Sequence, residues 1–238
     1  MDRTAALSSL LQRRAGTALA WVEARAWLLP LTWLVVAGVG SVIRLNSQFA
    51  DPLAWLPYAF FVLVPAAVLH AGLAMLGGRV APAVIARHPL YGAGGLMLSL
   101  LAALAAAILL RGLSFLSAIP AAGDGSSAWL GALHSWLAAD AILACSLYAL
   151  ALAAGLRRSA HFPALLASAW AIDLSMQLIM ANAAGGMLLP AAVGDAFHLL
   201  LRGNLTRLLV SIGIWLPYLL LSERVAVTYR HEMRDRVA

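Results

Sequence analysis

Six apolar stretches separated by short polar segments dominate this chain. They fall at about 27–43, 53–76, 92–110, 130–156, 164–189 and 205–221. A helix needs roughly 20 apolar residues to cross about 30 Å of hydrocarbon. Each stretch therefore predicts one crossing, and the two longest would be tilted or extend past the hydrocarbon. The separators hold Gly-Gly-Arg, Pro, and Asp-Gly-Ser clusters, which are turn chemistry. Residues 1–26 differ. Leu7, Leu10, Leu11, Ala18, Trp21 and Val22 recur near helical spacing among Arg3, Arg13, Arg14 and Arg25. That pattern predicts a helix lying on the membrane surface. The predicted fold is an all-α membrane protein of six transmembrane helices with an N-terminal interfacial amphipathic helix.

Composition supports lipid as the solvent. The chain is 63% hydrophobic and 11% charged, against about 45–50% and about 25% for soluble domains. All 16 basic residues are Arg. Twelve of them (Arg3, Arg13, Arg14, Arg25, Arg79, Arg87, Arg157, Arg158, Arg224, Arg230, Arg234, Arg236) fall on one side of the predicted crossings. Four (Arg44, Arg111, Arg202, Arg207) fall toward the other. Short cytoplasmic loops hold the positive charge, so both termini are expected in the cytoplasm, in a bacterial inner membrane. The net charge of +6 then reads as topology and attraction to anionic lipid headgroups, not as nucleic-acid binding. The single Cys, Cys145, excludes an internal disulfide and reads as a small packing residue.

Ionisable groups inside a span are costly and are functional candidates by default. Asp140 lies roughly ten residues into the fourth stretch and Asp173 roughly ten into the fifth. At about 1.5 Å per residue both reach the middle of the bilayer on adjacent antiparallel helices. Gln177 is one turn after Asp173, on the same face. Arg207 opens the sixth stretch and is the expected counter-charge. Arg111 is read as closing the third stretch, with 112–129 as a long outer loop whose Leu113, Phe115, Leu116 and Ile119 rest on the interface; Pro190 is read as closing the fifth, with 191–204 as a loop able to form a short outer helix carrying Asp195, His198 and Arg202. Gly92, Gly94 and Gly95, then Ser99, Ala103 and Ala107, form a small-residue stripe suited to close helix approach. Pro217 removes the donor to the Gly213 carbonyl, which makes Gly213 and Pro217 hinge candidates.

Other chemistry has little support in the sequence. His70 and His134 stand near opposite ends of their spans, which argues against a haem between them. No His pair has metal-site spacing, so no metal or cofactor is expected. Ser168, Ser175 and Ser211 lack a matching base, and Gly-x-Ser-x-Gly is absent.

The C-terminal run Trp215-Leu216-Pro217-Tyr218, then Ser222-Glu223-Arg224-Val225 and Thr228-Tyr229, resembles the closing signature of the family called domain of unknown function 2569. Gly94-Gly95-Leu96 and Leu156-Arg157-Arg158 with Phe162-Pro163 are similar to two further stretches of that family. Glu223 stands where the family has Lys, Tyr229 where it has Phe, and Leu96 where it has Trp. The resemblance covers roughly residues 90–232. It implies a four-span core with cytoplasmic ends and no particular reaction. Three units result: a basic interfacial segment 1–26, two added helices over 27–89, and a four-helix core with a basic tail over 90–238.

Two functions are weighed. The leading expectation is a non-catalytic accessory or scaffold subunit of a membrane complex, packed against other subunits or its own copies. The alternative is a small proton- or cation-coupled transporter using the mid-membrane carboxylates, marked by a water-accessible cavity reaching Asp140 or Asp173. An enzyme acting on lipid or quinone would need a lateral pocket holding a basic and an acidic residue; Arg111, Arg202 and His198 are its only plausible lining.

Overall fold

A computed structural model describes residues 20–46, 54–76, 90–92, 94–118 and 127–230. Most of the predicted surface helix, the loops at 47–53 and 77–89, and the tail after residue 230 lie outside the described residues. Among the described residues the protein is all-helical, and six helices are long and apolar enough to cross a membrane. They are α1 (Leu28–Asn46), α2 (Trp55–Met75), α3 (Leu96–Ala118), α4 (Ala128–Leu156), α5 (Phe162–Gly185) and α6 (Ala191–Leu221). A single turn, α7 (Glu223–Val225), and a π-helical turn, Ala226–Arg230, follow.

Helix α4 is the hub. It packs against α2, α3 and α5, and α1 joins through α2. Its buried face is built from small residues, among them Ala138, Ala141, Ala144, Ala149, Ala153 and Gly155. Lipid offers no hydrophobic drive for helix association, so close backbone contact supplies it. A Cβ at Gly72 of α2 would stand 2.8 Å from the Cβ of Ala153. Gly112 of α3 similarly admits the Trp33 and Phe61 rings, at 3.1 and 3.2 Å from where its Cβ would be.

The structure departs from the sequence expectations at several points. Arg111 does not close the third span, because α3 continues for seven residues to Ala118. Residues 112–118 contain no proline and carry Leu113, Phe115 and Leu116, and Phe115 is buried against Tyr58 and Phe61 instead of resting on the interface. Residues 191–204 are not a separate outer helix, because α6 runs unbroken from Ala191 to Leu221. Nothing in that run breaks a helix before Pro217, and Pro190 serves as its N-cap instead of closing α5. Arg207 therefore sits mid-helix. The helical path also continues through Gly213 and Pro217, the hinge candidates; a Cβ at Gly213 would meet nothing within 4 Å. The stripe of Ser99, Ala103 and Ala107 does not draw another helix close, because Ala103 and Ala107 line a cavity.

The two ends of the bundle are tied differently. At one end Trp33, Tyr58, Phe61, Phe115 and His134 form an aromatic cluster across α1–α4, with ring centroids 5.0–5.8 Å apart. At the other end polar contacts dominate. Helix α4 ends in a Schellman turn, with Ser159 N–H donating to Ala154 O at 2.9 Å and Arg158 N–H to Gly155 O at 3.2 Å. Arg158 takes the left-handed position at φ 52°, usually given to Gly. Its guanidinium compensates by a two-pronged bond to Glu23, both at 2.7 Å. Burial pushes the Arg158 pKa down, but the Glu23 carboxylate and Tyr91 together raise it above its ordinary value, so the guanidinium stays charged. Arg157 Nε donates to the Leu73 carbonyl at 2.5 Å, satisfying an orphan acceptor in the last turn of α2.

The backbone at Gly92, the α4–α5 turn and the C-terminal run meet at this same end. Gly92 N–H donates to Thr228 Oγ1 at 3.1 Å, and Arg224 donates to Gly92 O at 3.3 Å. Tyr229 stacks near Phe162, with centroids 4.9 Å apart, and donates its hydroxyl to Gly155 O at 3.0 Å. Burial raises the Tyr229 pKa, which keeps that hydroxyl a donor.

Candidate functional site

Four helices converge on one polar cluster inside an otherwise apolar bundle. Asp140 comes from α4, Asp173 and Gln177 from α5, Arg111 from α3, and Asn204 from α6. All are shielded: the side chains of Arg111, Asp140 and Asp173 are 10%, 4% and 6% exposed. The sequence expectation that Asp140 meets Asp173 beside Gln177 therefore matches the geometry. Its counter-charge does not. Arg111, not Arg207, holds both carboxylates.

Arg111 Nη2 donates to Asp140 Oδ1 at 3.2 Å and also to Asp173 Oδ1. Its Nε lies 3.2 Å from Asp140 Oδ2 but is not aligned to donate, so that contact is an ion pair without a hydrogen bond. Gln177 Nε2 donates to Asp140 Oδ1 at 2.8 Å and to Asp173 Oδ1 at 3.2 Å. Tyr148 donates its hydroxyl to Asp173 Oδ2 at 2.6 Å. Asn204 Nδ2 donates to Gln177 Oε1 at 3.4 Å, which fixes the Gln177 amide with its NH2 toward the acids. Three of the four carboxylate oxygens thus accept aligned donors, and Asp140 Oδ2 has only the off-line Arg111 Nε.

Two cavities flank this cluster. A groove of about 270 Å3 runs between α3 and α6. Leu100, Ala103, Leu104, Ala107 and Leu208 line its walls, and Arg111, Tyr148, Asp173 and Asn204 close its polar end. From Leu100 to Arg111 it follows α3 for about 16 Å at 1.5 Å per residue. On the other side, a space of about 10 Å3 is lined by Arg111, Ser114, Phe115, Leu137, Asp140 and Asn204. It is at the lower limit for one water, about 10–15 Å3. The two cavities share Arg111 and Asn204, and the ion cluster lies between them, with Asp173 on the groove and Asp140 on the smaller space.

Arg207 lines the groove but makes no ion pair among the described residues. Its Nε donates to its own helix at Gly203 O, 3.1 Å away. Ser211 also lines the groove. Arg202 and His198, candidates for a lateral pocket, do not line it. His134 sits in the aromatic cluster, 3.3 Å from the Tyr58 hydroxyl, while His70 is exposed in an apolar groove between α1 and α2. Among the described residues no group of His, Cys, Asp or Glu has the arrangement of a metal site.

Sequence reasoning misses Tyr148, Asn204 and the true role of Arg111. Asn204 carries a usable signal: Leu201, Asn204 and Leu208 are spaced as one buried helix face, and all three are buried. No protein-family model, curated protein or solved structure matches the chain.

Proposed function

We propose that this chain is a small proton-coupled membrane transporter whose coupling site is the Asp140–Asp173 pair. The observation that carries the reading is the partition: Asp173 lines the groove on one side of the ion cluster, and Asp140 lines the space of about 10 Å3 on the other. A carrier needs a midplane site reachable from one side at a time.

The chemistry favours a proton over a metal cation. A cation seeks several free oxygen lone pairs. Here Arg111, Gln177 and Tyr148 already donate to three of the four carboxylate oxygens. One guanidinium between two carboxylates leaves a net charge of −1, which a single proton neutralises. Asp140 Oδ2, with no aligned donor, is the oxygen to receive it. The remaining assignments are part of the same reading: both termini cytoplasmic, and a bacterial inner membrane, on the bias of Arg toward one side.

The test is infrared titration of the purified protein in lipid nanodiscs. A protonated carboxyl stretch should rise and fall across the carboxyl range, roughly pH 3–9. Asp140→Asn should remove it with the fold intact. If no such band titrates, and Asp140→Asn and Asp173→Asn alter only thermal stability, the cluster is a lock between helices. The protein would then be the accessory subunit that its composition first suggests.

A further inference from the structure

We infer that the α3–α6 groove takes an amphipathic organic anion, a single acidic head on an apolar tail, entering sideways from the lipid. This inference deepens the proton-coupled reading by naming its substrate class.

The groove has the shape for such a ligand. Helix α6 packs mainly on α5, while α3 and α6 flank a gap. Ala103 and Ala107 are the small side chains that leave the gap open. Its α3 wall is apolar from Leu100 to Leu110, about 15 Å at 1.5 Å per residue, and its volume of about 270 Å3 is just under the usual small-molecule range of about 300–1,000 Å3. An opening between two helices in a bilayer faces acyl chains, so a tail enters without crossing water.

The head is chosen by charge. Arg207 places an exposed guanidinium in the wall, with no acid paired to it among the described residues. A guanidinium matches carboxylate and phosphate oxygens with two parallel N–H bonds. Asn204 and Ser211, on the same helix and the same cavity, add neutral polar groups. The charged groups around the groove are Arg111 on α3, Asp140 on α4, Asp173 on α5 and Arg207 on α6; Cys145, Tyr148, Gln177 and Asn204 are neutral partners. With both acids ionised these four charges cancel. With one proton on the acid pair the site is +1, and a monoanion then neutralises it. Proton and anion therefore favour each other's binding, and the coupling is reciprocal.

The experiment measures equilibrium binding of radiolabelled laurate and dodecyl phosphate to the full chain in nanodiscs, with dodecyltrimethylammonium as the cationic control. Arg207→Gln should weaken anion binding at least tenfold and leave the cation's background binding unchanged. Ala107→Leu, which fills the groove, should block the anion without lowering the melting temperature. Laurate alone, or dodecyl phosphate alone, would identify the head as carboxylate or phosphate. Equal binding of the cation, or Arg207→Gln binding like the wild type, overturns the substrate class. The failures separate cleanly. A titrating carboxyl band without anion binding sinks the substrate class and keeps the proton site. Anion binding that does not tighten as pH falls keeps the groove and sinks the coupling.

Discussion

Arg111 shows how a paired charge is misread from sequence. A cation after an apolar run normally marks the end of a span, since leaving it in hydrocarbon is expensive. Here the cost is offset by two carboxylates from two other helices, and no local pattern announces that. Asp140 and Asp173 are legible because isolated acids inside apolar runs are costly without a partner, and Gln177 because it shares a helix face with Asp173. Tyr148 is not, because a Tyr in a span passes as packing. Arg111→Ala leaves two buried acids facing each other without a cation. Removing one member of a buried ion pair costs about 3–5 kcal/mol. The expected outcome is a loss of that order in unfolding free energy, measured in detergent or bicelles. Adding Asp140→Asn and Asp173→Asn to Arg111→Ala should recover most of it. Failure of the triple variant to recover stability would mean the guanidinium works through packing, not charge.

At the scale of the helix, the number and type of elements follow from hydrophobic run length. Their ends do not, because a helix stops where its backbone hydrogen bonds stop, and turn residues only suggest that point. Pro190 reads as a stop for α5 and is the cap of α6. Helix α6 looks like two pieces in sequence because Asp195, His198 and Arg202 are polar, yet polarity on one face does not break a helix. The small residues are legible as packing devices, but on the wrong helix. Ala103 and Ala107 of α3 line a groove, while Gly112 of α3, Gly72 of α2 and the alanines of α4 make the tight contacts. Gly72 is the sharpest of these, since its neighbour is a rigid methyl 2.8 Å from the added Cβ. Gly72→Ala should therefore force α2 away from α4 and lower stability by about 1–3 kcal/mol. Pairing it with Ala153→Gly should restore most of the loss. A fully additive double variant in thermal unfolding would show that the two positions do not touch.

The proposed orientation of the whole molecule depends on an even number of crossings. Glu23, Gly92, Arg158, Arg224 and Tyr229 all meet at one end of the bundle, so chain segments near both ends of the sequence share it. Cys145 is the only thiol and is fully buried, which leaves the background clean for labelling. Leu188, 95% exposed between α5 and α6, and His161, exposed between α4 and α5, are suitable reporters. Leu188→Cys should react with an impermeant maleimide from outside the cell, and His161→Cys only after permeabilisation. Reaction of both from one side would remove the orientation and with it the two-sided partition. The partition itself is only half legible. Depth arithmetic brings the acids together, but a groove between α3 and α6 depends on how far apart two helices stand, and residue spacing along a chain carries no such information.

Chain order gives the triad a consequence for biogenesis. Arg111 leaves the ribosome before Asp140, and Asp140 before Asp173. Alone at the centre of a bilayer an Arg costs about 2.5–3.5 kcal/mol on insertion scales. The third helix therefore reaches lipid as an orphan and becomes comfortable there only once its two later acids have been delivered, which makes residues near 177, not 118, the point at which nascent protein can safely leave the translocation machinery.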